Sequence, residues 1–89
     1  MLSKQLTIIN KLGLHARATA KLVTLVSQFE SEVIIQLDNK SANAKSIMGV
    51  MMLAAAQGCQ ISLTVTGEDK KDCLLAVTDL VNNRFGEAE

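Results

Sequence analysis

The chain has no proline, no tryptophan and no tyrosine, and Phe29 and Phe85 are its only aromatic residues. So few aromatics leave no platform on which the bases of a single nucleic-acid strand could stack. Basic and acidic residues balance at nine each, and no basic block stands out as a nucleic-acid footprint. No apolar run approaches the roughly 18 residues that a membrane span needs. The first residues, Met1 to Leu6, lack the long apolar stretch of a secretory signal, so a cytoplasmic protein is expected. Two cysteines, Cys59 and Cys73, make no disulfide framework, and with a single histidine they offer no zinc spacing. Neither a metal nor a cofactor is expected. No stretch reads as a linker and none repeats, so residues 1–89 are expected to form one domain.

What is present is apolar patterning of two periods. Hydrophobic residues make up 48% of the chain, enough to exclude disorder. Gln5 to Ile9 reads as a first strand with Leu6 and Ile8 on one face, and Asn10 to Gly13 breaks it. From Ala16 the period changes: Leu22, Leu25, Val26 and Phe29 follow helical spacing and predict a helix to about Gln28. Val33, Ile35 and Leu37 alternate as a second strand. Asp38-Asn39-Lys40 is a turn signal, and Lys40 to Ala44 completes a hairpin. Ser46 suits a helix N-cap, with Ile47, Val50, Met51 and Ala54 behind it and closure near Gly58. Ile61, Leu63 and Val65 alternate with polar residues in the cleanest strand of the chain. Asp69 is placed to cap a last helix whose inner stripe is Leu74, Val77 and Val81, with Asp72 in its first turn and a stop at Gly86. The order βαββαβα predicts an α+β fold of two layers, an antiparallel sheet with three helices on one face and water on the other.

The chemistry-bearing segment is Gly13-Leu14-His15-Ala16-Arg17, between a strand and a helix. A helix start offers backbone N–H groups without intrahelical partners, and together with the helix dipole these favour anions. They also act against a cationic imidazolium, so His15 is expected to be neutral, with a free lone pair. Once that nitrogen carries a phosphoryl group, the new negative charge faces the same amides. Arg17 adds a forked, permanent cation for phosphate oxygens. Phosphoryl transfer asks mainly for positioning and charge stabilisation, and this arrangement supplies both. The bland alternative is a partly exposed capping histidine beside a solvated arginine.

The segment Ile9-Asn10-Lys11-Leu12-Gly13-Leu14-His15-Ala16-Arg17, with Lys21-Leu22 further on, resembles the active-site segment of the histidine-containing phosphocarrier proteins. This is the HPr family, with its nitrogen-related branch NPr. A second block, Lys45-Ser46-Ile47-Met48-Gly49-Val50-Met51, is similar to the family's regulatory and docking helix, and the ending Asn82-Asn83-Arg84-Phe85-Gly86 also fits. The resemblance implies strand order 1-4-2-3 and phosphorylation of His15 on Nδ1 by the phosphohistidine of Enzyme I. It implies onward transfer to an EIIA-type protein, for sugar uptake or for regulation. It implies phosphorylation of Ser46 by HPr kinase/phosphorylase, and docking of Enzyme I and EIIA on the helix bearing Ile47, Met48, Met51 and Met52. A monomer that is a phosphotransfer component rather than a free-standing enzyme is expected. Many members have proline and alanine where this chain has Ala18-Thr19, which puts the stiffness of the His15 loop in question. The Asn10-Lys11-Leu12 stretch leans toward the nitrogen-type sequences and the Ser46 block toward kinase-regulated carriers. Two other classes share this type of fold: a small acylphosphatase-like enzyme and a binding module resembling ACT domains. The first needs a glycine-rich phosphate loop, whereas this loop has only Gly13. The second leaves His15, Arg17 and Ser46 unexplained.

Overall fold

In the computed structural model, which describes residues 1–89, the chain runs β1 (Leu2–Thr7), α1 (Ala16–Val26), β2 (Glu32–Leu37), β3 (Lys40–Asn43), α2 (Ile47–Met52), β4 (Gln60–Thr66) and α3 (Lys70–Asn82), then a short left-handed turn (Arg84–Gly86). The four strands form one antiparallel sheet in the order β1-β4-β2-β3. Leu6 lies opposite Ile61, Ile35 opposite Leu63 and Val33 opposite Val65, so these six share one face. All six are buried in a single core with Leu22 and Val26 of α1, Val50 of α2, and Val77 and Val81 of α3. The alternate positions, Gln5, Ser62 and Gln36 among them, occupy the other face, which is polar apart from the exposed Ile34 and is open to water. No helix is long and apolar enough to cross a membrane.

The element order and the sheet order agree with expectation; several ends do not. β1 pairs from Leu2, earlier than Gln5. Ile8 lies past its end yet stays buried, its N–H bonded to the Cys59 carbonyl at 2.9 Å and its carbonyl to the Gly58 N–H at 2.7 Å. β3 stops at Asn43, and Ala44 is a buried residue whose N–H donates to the Val33 carbonyl. α1 ends at Val26 rather than Gln28, in a turn tightened by bonds from Gln28 to Leu25 and from Phe29 to Val26. Its buried side is Ala18, Thr19, Leu22, Val23 and Val26, whereas Leu25 and Phe29 are only half-buried.

α2 ends at Met52, well before Gly58, and Ala54 takes φ +55° outside it. The reason lies one residue on: the Ala55 carbonyl turns to accept the Leu14 N–H at 2.9 Å, which a continued helix would forbid. α3 ends at Asn82 rather than near Gly86, and its buried side is Cys73, Val77, Thr78 and Val81, with Leu74 half-buried. Asp69 stands at the N-cap position of α3, its carbonyl accepting the Cys73 N–H, but its side chain caps nothing there. The carboxylate instead accepts from the N–H groups of Glu30 and Ser31, each at 2.9 Å, and from the Ser31 hydroxyl. It therefore fastens the α1–β2 turn to the β4–α3 turn. The Ser31 hydroxyl first, then the Glu30 amide, holds the Asp69 carboxyl below its usual range.

Candidate functional site

His15 is carried by a loop with little freedom. Gly13 takes φ +66°, and a Cβ there would stand 2.5 Å from the Ala55 carbonyl oxygen. Glycine is the residue that allows both the left-handed turn and that close approach. Beyond it, Leu14 is buried and bonded to Ala55. The hydroxyl of Thr19, also fully buried, donates to the Leu14 carbonyl at 3.2 Å. Thr19 thus ties the loop to the first turn of α1.

His15 is the N-cap residue of α1, with extended backbone (φ −78°, ψ −179°), and its carbonyl accepts the Thr19 N–H at 2.9 Å. Its side chain makes no capping bond. The ring turns to the end of the chain, where Nε2 lies 2.5 Å from Oε2 of Glu87. The other carboxylate oxygen, Oε1, accepts from Nδ2 of Asn10 at 3.0 Å, and the same Nδ2 donates to the Gly13 carbonyl at 2.9 Å. Asn10 is fully buried. The Asn10 amide and then the His15 ring hold the Glu87 carboxyl below its usual range, against a smaller opposing effect of burial. The expected surroundings of His15, amides acting against imidazolium, are therefore incomplete, because a carboxylate of the opposite electrostatic sense touches the ring.

Around this pair a depression of about 760 Å³ is lined by Lys11, Leu12, His15, Ala16, Arg17 and the tail residues Glu87, Ala88 and Glu89. Lys11 pairs with Glu89 at 3.5 Å, and its N–H donates to the Glu89 carbonyl. Arg17 is exposed and takes part in no ion pair. The depression therefore brings together an imidazole ring, a guanidinium in no ion pair and the first turn of a helix.

Ser46 caps α2: its Oγ accepts the Gly49 N–H at 3.1 Å. The helix buries only Val50. Met48 and Met52 are each 70% exposed, and Ile47 and Met51 are exposed as well, so all four residues expected at a docking surface face solvent. None of them, nor Ser46, lines the His15 depression. They form a separate flexible apolar surface, of the kind methionine suits.

Comparison with known proteins sets this geometry in a family. A family model described as the PTS HPr component phosphorylation site matches residues 2–83. The phosphocarrier protein HPr of Xylella fastidiosa is 52% identical over 87 residues, covering 98% of each chain. The chain belongs to the HPr family. The phosphocarrier protein NPr of Shewanella violacea is 45% identical over 98% of this chain and 96% of its own. A crystal structure of HPr from Thermoanaerobacter tengcongensis superposes with a TM-score of 0.96 at 42% identity, covering all of both chains. The HPr fold thus accounts for the sheet order and for the three helices on one face.

Two residues around the His15 ring have roles that no local pattern reveals. Asn10 lies in the segment that resembles the family's active site, but its full burial and its bond to Glu87 arise only on folding. Glu87 stands 72 positions from His15 and past the residues that the HPr family model matches. Only folding brings it there, and no local pattern announces it.

Proposed function

We propose that this HPr-family chain is a phosphocarrier of the phosphoenolpyruvate-dependent phosphotransferase system. His15 accepts a phosphoryl group through Nδ1 from the phosphohistidine of Enzyme I and passes it to an EIIA-type protein, for sugar uptake or regulation. The observation that carries the reading is His15 at the N-cap of α1, its side chain free of capping, beside an unpaired Arg17. A ring nitrogen with its lone pair attacks phosphorus as the N–P bond of the donor breaks, and the electron pair of that bond returns to the donor ring. The transferred oxygens then meet the opening amides of α1 and the Arg17 guanidinium, both suited to an anion. The work is positioning and charge stabilisation, so the chain acts as a transfer component rather than as an enzyme. The whole chain works as one cytoplasmic, monomeric domain without a cofactor.

Ser46 and the neighbouring face complete the reading. The Ser46 cap faces solvent, within reach of HPr kinase/phosphorylase, and a phosphate there is compatible with the helix start that it caps. The exposed Ile47, Met48, Met51 and Met52 serve to dock Enzyme I and EIIA. The test is incubation with phosphoenolpyruvate and Enzyme I. The unmodified chain should gain an acid-labile, base-stable phosphate, and His15→Ala should fold and gain none. Label on another side chain of His15→Ala by this route would refute the assignment.

A further inference from the structure

We propose that Glu87 is the positioning residue of His15: it accepts the Nε2 proton, holds the ring in the Nε2–H tautomer and leaves the Nδ1 lone pair as the nucleophile. The inference rests on the phosphocarrier reading above and deepens it.

A neutral imidazole has one donor and one acceptor nitrogen, and a carboxylate only accepts. The nitrogen 2.5 Å from Glu87 Oε2 is Nε2, so Nε2 carries the proton. Glu87 is itself held in place. Its Oε1 is bonded to the buried Asn10, which in turn grips the Gly13 carbonyl two residues before His15. The carboxylate and the ring are thus referred to the same loop.

The chain also adopts an unfavourable backbone to bring Glu87 there. Arg84, Phe85 and Gly86 take φ of +55°, +54° and +78° in succession. Two of the three are not glycine, and such residues persist in the left-handed region only where their surroundings enforce it. Here the fully buried Phe85 side chain and a 2.7 Å bond from Lys21 Nζ to the Phe85 carbonyl do so. Glu87 follows directly, its N–H bonded to the Arg84 carbonyl at 2.9 Å.

The role has a clear chemical content. When Nδ1 takes the phosphoryl group from a phosphohistidine donor, the donor N–P bond breaks and the acceptor ring gains positive charge. That ring keeps its Nε2 proton, and no proton needs to leave. Glu87 faces the developing cation across the Nε2–H bond, much as a carboxylate orients and steadies the histidine of a hydrolase triad. The rival role for the same contact is a strap that covers His15 and slows transfer.

The single histidine makes the test direct. Full-length chains, unmodified and with Glu87→Gln or Glu87→Ala, are labelled with 15N-histidine and studied above neutral pH. The unmodified chain should show a low-field proton bonded to Nε2. Glu87→Gln should keep it, because the amide oxygen still accepts. Glu87→Ala should lose it and move toward the tautomer mixture of a histidine peptide. Acceptance from phosphorylated Enzyme I should slow roughly tenfold or more in Glu87→Ala, in line with the loss of a carboxylate that fixes the tautomer of a reacting histidine, and less in Glu87→Gln. An unchanged ring spectrum with unchanged rates in Glu87→Ala would overturn the proposal, and faster acceptance would overturn it in favour of the strap. If the unmodified chain took no phosphate on His15, the carrier reading would fall, while the ring spectra would still decide whether Glu87 sets the tautomer.

Discussion

Arg17 is exposed and unpaired, so its charge is spent on no partner within the protein. A hydrogen bond to a charged group contributes about 1.5–3 kcal/mol. Arg17→Ala should therefore fold normally and transfer phosphate about ten- to hundredfold more slowly, measured in single turnover with donor and acceptor. Unchanged rates with both would make it a bystander. Gly13 acts differently, through backbone alone. Gly13→Ala places a side chain in the left-handed region and drives its Cβ into the Ala55 carbonyl. The strained backbone alone costs on the order of 1–3 kcal/mol. Denaturant titration should show a loss of at least this order, and an unchanged midpoint would mean that the loop is freer than its geometry indicates. The placement of His15 at a helix start, with Arg17 two residues on, was legible in sequence because it depends on local spacing alone. Glu87 was not, because its place depends on the strained turn that ends the chain.

The alternating strands declared themselves because a half-buried sheet demands a period of two: Val33 and Ile35, like Ile61, Leu63 and Val65, lie buried where their spacing put them. Helix ends were less legible, because tertiary hydrogen bonds decide them. The bond from Leu14 to Ala55 ends α2 early, and Asp69 gives up capping α3 to hold Ser31. This second bond predicts a pH signature. The Asp69 carboxyl is held below its usual value of 3.8. A depressed carboxyl contributes stability that is present above the unfolded value and lost as pH falls through the folded one. Asp69→Asn should therefore melt lower than the unmodified chain near neutrality, and the gap should narrow once pH drops below about 3.8. A gap independent of pH would show that the ionised form is not what matters. At α2, Ser46→Asp keeps an acceptor for the Gly49 N–H and adds an anion at the helix start. Its melting temperature should hold or rise slightly, by the equivalent of about 0.3–1 kcal/mol, while its phosphorylation by Enzyme I slows. Transfer as fast as in the unmodified chain, at low and at physiological salt, would leave Ser46 a cap alone.

At the scale of the molecule, the fold divides its labour by surface. One sheet face is polar apart from Ile34 and open to water, and the other anchors three helices over one core. The helix layer carries the His15 depression and, apart from it, the exposed methionine face of α2. A carrier needs both: a site that binds phosphate covalently but reversibly, and a surface adaptable enough for a donor and an acceptor in turn. Membership of the HPr family and the full-length match to an HPr crystal structure agree with this arrangement. The central claim is that the phosphoryl group on His15 is carried onward and not simply discharged. The most direct measurement is a chase. The chain is phosphorylated by Enzyme I and phosphoenolpyruvate, separated from both, and mixed with an EIIA-type protein while the label is followed. The label should leave His15 and appear on EIIA in matching amounts. Release as free phosphate with none on EIIA would contradict the account.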